Sequence, residues 1–547
     1  MSILDLKTQL IEGIAVSLKS LDLPQDNLHL ERPKSQEFGD FSCNAALILA
    51  KKAKLTPLRL AQKIIQNLDI LKTVVDEISV TPPGFINFTL SKDFLRSEVR
   101  HILQVGEAYG QTSHGKGKSA LVEFVSANPT GPLTVGHGRQ AVLGDIVSRI
   151  LEWHGYDVTR EYYFNNAGRQ IRLLAESVYA RYMGLLGETM AIPEGGYEGN
   201  YITEIAENIY NEHGSIYKKK ADNPIFKNTA VQVIFNDIKS TLSNLGIKFD
   251  EFVNEKSFYE NNRINSIIDR LREQDLVFDE DGATWFATTK LGKEKNTVLI
   301  KSSGEPTYRL PDIAYHEYKM ERNFDLLVDI FGADHKDTYP DVLSALKSLG
   351  YNTDIIRVLI HQFVTLKKGG EKVKMSTRKA TYVTLEDLID KVGTDVVRYF
   401  FIMRNMKSHL NFDMTLAVKE SDENPVFYLQ YAHARICNII KYADAMGIPY
   451  TQESDLRLIS HPSEFELIRE LIRFPEVMKS ALECLEPQVI TNYLQALATK
   501  FHKFYTECRV VTEDKKLSQA RLVLITAVKY VLANGLSVLG ISQPERM

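Results

Sequence analysis

Two stretches of this chain gather the residue types that handle phosphates. The first is Ser126-Ala127-Asn128-Pro129-Thr130-Gly131-Pro132-Leu133-Thr134-Val135-Gly136-His137-Gly138-Arg139, a Pro/Gly-rich turn leading into a helical pattern. Gly136 and Gly138 let a backbone approach a ligand closely. The helix start offers free N–H groups and the positive end of its dipole to an anion, and His137 adds a donor for a phosphate oxygen. The second stretch is Lys367-Lys368-Gly369-Gly370-Glu371-Lys372-Val373-Lys374-Met375-Ser376-Thr377-Arg378-Lys379. Its lysines and arginine, set among glycines and hydroxyls, make a flexible loop that seeks phosphate. Composition alone also allows a solvated turn at each place. Together, about 240 residues apart, the two are far more specific than either one.

Other elements must bring these loops together. Ala120-Leu121-Val122-Glu123-Phe124-Val125 is a short apolar run, the pattern of a buried parallel strand, and Gly138 to Trp153 follows helical spacing. A strand candidate (Tyr156 to Phe164) and a helix candidate (Ala167 to Met183) come next. The same rhythm returns with strand Thr297 to Lys301, helix Leu310 to Arg322, strand Phe324 to Phe331, helix Tyr339 to Leu349 and strand Ile355 to Gln362. This alternation predicts a Rossmann-like, doubly wound parallel sheet, split by an insertion at about 185–290. In such a sheet ligands lie at the carboxyl ends of the strands.

Around the sheet the chain reads as a multidomain α/β protein. Ile3, Leu6, Leu10, Ile14 and Leu18 trace one helix face, and Pro82-Pro83-Gly84 precedes a strand-like Phe85-Ile86-Asn87-Phe88, so 1–112 reads as a small α+β unit. Residues 113–365 hold the split sheet, 366–423 the second loop and a connecting segment, and 424–547 a helical bundle. The 547 residues are 44% apolar and 25% charged, an ordinary globular composition that excludes a disordered or fibrous chain. Lys plus Arg is 66 and Asp plus Glu is 70, a net charge of −4, so any surface for nucleic acid must be local. Cys43, Cys437, Cys484 and Cys508 form no CxxC pair. That excludes a disulfide scaffold and a cysteine-ligated zinc site, and fits a reducing compartment. Ile3 to Leu21 lacks a signal-peptide core. Leu522 to Leu539, the most apolar stretch, carries Lys529, Asn534 and Gly535 and reads as a core helix rather than a membrane span. The expectation is a cytoplasmic protein with no membrane segment.

Gly136-His137 at the head of the first sheet helix, with Lys374-Met375-Ser376 after the last sheet strand, resembles the two signature motifs of class I aminoacyl-tRNA synthetases. The longer string Val122-Glu-Phe-Val-Ser-Ala-Asn-Pro-Thr-Gly-Pro-Leu-Thr-Val-Gly-His-Gly-Arg139 resembles that of the arginyl-tRNA synthetases in particular. The likeness continues in Glu161-Tyr-Tyr-Phe-Asn-Asn-Ala-Gly-Arg-Gln170, Tyr308-Arg-Leu-Pro-Asp-Ile-Ala-Tyr-His316, Gly332-Ala-Asp-His335, Lys374-Met-Ser-Thr-Arg378 and Tyr428-Leu-Gln-Tyr-Ala-His-Ala-Arg435, so it spans nearly the whole chain. Two positions depart from the pattern. Thr134 replaces the first histidine of the HIGH motif, and Thr377 the second lysine of the KMSK motif. A threonine hydroxyl still bonds a phosphate oxygen but carries no charge. Arg378, Lys379, Lys116 and Lys118 are candidates for the missing cation.

The resemblance implies a ligase that joins arginine to tRNA(Arg). ATP and arginine give arginyl-adenylate and pyrophosphate, and the arginyl group then moves to the terminal adenosine of the tRNA. It implies Thr134, His137, Lys374 and Ser376 as the catalytic set. ATP would lie on Pro132, Gly136, His137, Gly138, Asp334, Lys374 and Met375, with Mg²⁺ accompanying the nucleotide and no protein-bound zinc. Arginine would lie on Glu123, Ser126, Ala127, Asn128, His137, Glu255, Tyr308, Asp312 and Asp334. Its guanidinium fork is best read by carboxylates, with Asp312 at the family's guanidinium-binding position. The N-terminal block resembles the family's additional domain for the tRNA elbow, and the C-terminal block its anticodon-binding domain. Tyr431, Arg435, Lys503 and Tyr505, beside His433 and Lys441, mix aromatic and basic groups suited to unstacked bases and phosphates. The family usually acts as a monomer and needs tRNA present to activate its amino acid. Three rivals remain at this level: a class I synthetase for another amino acid, a synthetase-like RNA-binding protein without ligase activity, and an adenylyl-transferring enzyme without RNA.

Overall fold

The computed structural model describes residues 3–68, 73–373 and 383–547. Lys374, Met375, Ser376, Arg378 and Lys379 lie outside them. The apolar run after Lys118 forms strand β1 (Ser119–Glu123), with Ala120, Leu121 and Val122 fully buried. Helix α1 (Val135–Trp153) follows, then strand β2 (Asp157–Phe164), helix α2 (Gly168–Leu185), strand β3 (Glu251–Asn254), helix α3 (Arg309–Glu321), strand β4 (Leu326–Gly332), helix α4 (Tyr339–Ser348) and strand β5 (Ile356–His361). The five strands form one all-parallel sheet in the order β5-β4-β1-β2-β3. The chain grows the sheet in one direction to β3, then crosses back over β1 to add β4 and β5. Ligands bind where the order reverses, between the carboxyl ends of β1 and β4.

The stretch 185–290 is not one excursion. Two helices (Asn200–His213 and Pro224–Asn244) precede β3. A helix (Arg263–Glu273) and a separate antiparallel sheet (Val277–Glu280, Ala283–Phe286, Thr297–Ile300) follow it. Thr297 to Ile300, expected to share the parallel rhythm, pairs antiparallel with Ala283–Phe286. Strand β3 escaped the sequence pattern because it is a four-residue edge strand with Glu251 and Phe252 exposed, so it carries no apolar run.

The N-terminal block packs helix Ile3–Ser20, with the expected Ile3, Leu6, Leu10, Ile14 and Leu18 buried, beside a four-stranded antiparallel sheet. After residue 424 come five helices, Pro425–Ala445, Pro462–Leu471, Phe474–Cys484, Gln488–Glu507 and Lys515–Val538. The last is long and apolar enough to cross a membrane by composition. Leu522, Val523, Leu524 and Ile525 are nevertheless fully buried among the other helices.

Buried arginines join the blocks. Arg139 donates to the carbonyls of Gln362 (2.7 Å), Ser408 (3.1 Å) and Asn405 (3.1 Å), fastening α1 to the connecting segment. Arg398 donates to Leu245 O (2.9 Å), Leu539 O (3.0 Å) and Asp145 (2.5 Å), uniting the inserted helices, the bundle and α1. Arg139→Met removes those three bonds. At about 1 kcal/mol each, it should lower unfolding free energy by about 3 kcal/mol, read as a fall in the urea midpoint. A change below about 0.5 kcal/mol would mean that water replaces those bonds.

Candidate active site

Thr134 caps α1, and His137 stands in its first turn. The Thr134 N–H donates to His137 Nδ1 at 3.2 Å, so that nitrogen is an acceptor and the neutral ring carries its proton on Nε2. Burial pushes the His137 pKa down to about 4, against the opposing charge of Asp334. The ring is therefore a neutral donor at physiological pH. Asp334, mostly exposed, follows β4 across the reversal point. Gly136 is exposed with space about it. Gly138 is buried: a Cβ there would come within 2.5 Å of Leu385, and its N–H already donates to Thr134 O at 3.0 Å. Gly138 therefore serves close helix packing against Leu385 and Phe401. The segment that follows the second loop is tied to this mouth. Leu385 N–H donates to Leu133 O at 2.8 Å, and Thr384 bridges Thr134. Lys116 and Lys118 precede β1, a strand's length (about 16 Å) from its carboxyl end. They cannot replace the KMSK lysine there.

The turn after β1 is strained. Val125 and Ser126 both have positive φ, 68° and 43°, which a β-branched residue rarely adopts. Four bonds hold it. Ser126 Oγ donates to Glu123 at 2.8 Å, Tyr163 N–H donates to Ser126 Oγ at 3.2 Å, and Ala127 exchanges two bonds with the Tyr162 hydroxyl. Asn128 accepts from Asn165 N–H at 2.8 Å and donates to Gln170 at 3.1 Å. Tyr201, from the inserted helices, donates to Thr130 O at 2.9 Å.

Beside this turn lie the carboxylates. Glu255 is 9% exposed and accepts from the Tyr163 hydroxyl at 3.1 Å and from Asn165 at 2.7 Å. Burial raises its pKa, against the hydrogen bonds of Tyr163 and Tyr259. Asp312, in the first turn of α3, is pushed up to about 7 by burial, with Glu123 and Glu255 adding to the effect and His316 and Lys319 opposing it. Neither Asp312 nor Glu255 is hydrogen-bonded to a cation among the described residues. Glu123, 2% exposed, differs in that Lys319 bonds one of its oxygens and Ser126 the other. The two carboxyls act on one another's charge and have Tyr163 and Tyr259 beside them, a set of groups that suits a planar cation.

Tyr308, expected beside Asp312, is 73% exposed at the head of α3. Tyr163 and Tyr259 also lie near Asp312, and the residue pattern did not single them out. Lys319 and His316 were missed too, although Asp312, His316 and Lys319 recur at helical spacing on one face of α3. In the bundle, Arg435 lies 4.8 Å from the Tyr505 ring centre and donates to its hydroxyl, and Tyr431 stacks on His502. Lys503 turns instead to Glu466, at 2.9 Å. His433 is buried and bonds Pro544 O, and Lys441 bonds Glu545, so those two do not join the Arg435–Tyr505 group.

Comparison with known proteins gives three family matches. Residues 8–90 match the arginyl tRNA synthetase N terminal domain, 98–421 the tRNA synthetases class I (R) catalytic domain, and 429–547 the DALR anticodon binding domain. The chain is 48% identical to an arginine–tRNA ligase of Salinibacter ruber, over 96% of this chain and 97% of the relative. It is 50% identical to an arginine–tRNA ligase of Chlorobaculum tepidum, over 95% and 96%. The fold is similar to the arginyl-tRNA synthetase of Thermus thermophilus, with a TM-score of 0.78, 23% identity and coverage of 99% of this chain and 100% of that one.

Proposed function

Because the chain belongs to the arginyl-tRNA synthetase family of class I, and so activates arginine with ATP and transfers it to tRNA(Arg), we propose how its residues divide that work. In the first step the arginine carboxylate attacks the ATP α-phosphate and pyrophosphate leaves. In the second, a ribose hydroxyl of the terminal tRNA adenosine attacks the arginyl carbonyl and AMP leaves. Neither step needs a covalent bond to the enzyme, so the protein positions groups and stabilises charge.

Asp312 and Glu255 take the guanidinium, with the exposed Tyr308 closing an aromatic face over it. Ser126, Ala127 and Asn128 present the strained turn to the amino acid's α-amino and carboxylate groups, and Glu123 fixes that turn. His137 donates its Nε2–H to the α-phosphate, and Thr134, Pro132 and Gly136 form the mouth around it. Asp334 serves the ribose or the α-amino group. Lys374, Met375 and Ser376 act on the leaving pyrophosphate. Support for that role is the anchoring of Thr384 and Leu385 to the α1 mouth. Mg²⁺ comes with the triphosphate. Among the described residues Asp334 is the one carboxylate whose charge acts on His137, and that donor set suits an ion held mainly by phosphate and water. Tyr431, Arg435 and Tyr505 take tRNA bases. The working form is a cytoplasmic monomer without zinc.

The observation that carries this reading is the pair Asp312 and Glu255, without a bonded protein cation among the described residues. Pyrophosphate exchange with each of the twenty amino acids, with and without tRNA(Arg), tests it. Arginine alone should support exchange, and Lys374→Ala should reduce it by about a hundredfold. Exchange with lysine equal to that with arginine would overturn the pocket assignment.

A further inference from the structure

Beneath the arginine pocket lies a cation that neither step uses. Lys319 is fully buried. Its Nζ donates to Glu123 Oε2 at 2.5 Å and to Asp329 Oδ1 at 2.6 Å, and it lies 4.2 Å from the centre of the Tyr315 ring. Burial works to lower its pKa, and the charges of Asp329 and Glu123 outweigh that effect. Glu123, His316 and Asp329 bring their ligand atoms within 4.8 Å of one another, a spacing that would suit a metal ion. The ammonium already bonds two of the three, so it occupies the place of such an ion.

From this cation a continuous path runs to the pocket. Lys319 bonds Glu123, Glu123 accepts from Ser126, Ser126 accepts from Tyr163 N–H, and the Tyr163 hydroxyl donates to Glu255. Asp312 stands two helical turns before Lys319 on the same face of α3.

We propose that Lys319 is a positioning residue for arginine: a fixed cation that holds Glu123, and through it the Val125–Ser126 turn, and that balances the pocket carboxylates so that Asp312 meets arginine ionised. This rests on Asp312 as the guanidinium partner. The groups that face Asp312 are Glu123 from β1, Tyr163 from β2, Glu255 and Tyr259 from the segment after β3, and His316 and Lys319 from its own helix, with Tyr315 stacked on Tyr163. Asp329, and Glu161 with Arg322, lie behind Lys319 and Tyr315. Of these, Lys319 and His316 favour the ionised carboxyl and Glu123 and Glu255 oppose it.

Calorimetric titration of the full chain with arginine between pH 5.5 and 8.5 tests this. Wild-type affinity should strengthen as pH rises through about 7, because Asp312 must lose its proton before it pairs. Lys319→Met should weaken binding at pH 7 by about tenfold or more and move that midpoint upward, while ATP affinity stays within about threefold. Glu123→Gln should move the midpoint down, and Glu123→Gln with Lys319→Met should raise it again. The double variant removes Lys319 together with one of its two carboxylate partners and leaves Asp329 its bond to His316 at 3.0 Å, so fewer buried charges stand unpaired than in Lys319→Met. It therefore reports on Lys319 even where Lys319→Met fails to fold. Equal midpoints in Glu123→Gln and the double variant would overturn the proposal. A wild-type titration without pH dependence would overturn the Asp312 reading instead.

Discussion

Asp312→Ala should lower kcat/KM for arginine by about a thousandfold. Truncating one member of a buried, hydrogen-bonded charge pair costs about 2–5 kcal/mol, and here the abandoned partner is the substrate's own guanidinium. Asp312→Asn should lose nearly as much, since an amide keeps one acceptor but not the charge or the bidentate geometry. The loss should fall mainly on arginine affinity, leaving the KM for ATP within about threefold. A loss below tenfold would remove Asp312 from the pocket.

Stability should move the other way. The folded-state pKa of Asp312 is raised to about 7, so between its unfolded value of about 3.9 and 7 the folded chain holds a proton that the unfolded chain has released. The carboxyl therefore costs stability that grows as pH rises through that window. Asp312→Asn should melt higher than the wild type at pH 8 and equal it below pH 4, by thermal denaturation. Lost activity with a raised Tm separates a substrate-binding carboxylate from one that braces the fold.

His137→Ala should reduce the rate of adenylate formation by about a hundred- to a thousandfold, the usual effect of removing one preorganised donor from a developing phosphate charge. The ring has two nitrogens with separate roles: its Nδ1 accepts the Thr134 N–H at the start of α1, and its Nε2 carries the proton offered to phosphate. His137→Asn keeps an acceptor near Nδ1 and loses the donor, and His137→Gln keeps a donor near Nε2 and loses the cap. Single-turnover exchange should place Asn with Ala and Gln well above both. The reverse order would mean that helix capping, not phosphate contact, is the role of the residue. With its pKa pushed down to about 4, His137 should add no step to the pH–rate profile between 6 and 8.

Chemistry carried by contiguous residues was legible early. The Gly136–His137 turn follows a buried strand as the apolar run predicts, and Asp312 stands on the first turn of the helix expected there. The packing demand at Gly138 was not legible, because a glycine's sequence position does not say which side of a helix needs the space. Here it is the Leu385 side. Lys116 and Lys118 were plausible cations by density alone, and the direction of β1 excludes them.

The sequence by itself determined the parallel sheet, the phosphate-binding mouth of α1 and the helical bundle, because period and turn chemistry act over neighbouring residues. Only the tertiary structure decided that β3 belongs to the sheet, that Lys319 lies between Glu123 and Asp329, and that Tyr163 and Tyr259 stand near Asp312. Those relations join residues up to some 200 positions apart, as Glu123 and Lys319 are. Burial, which sets the charge state of Asp312 and His137, exists only once the strands have closed around them.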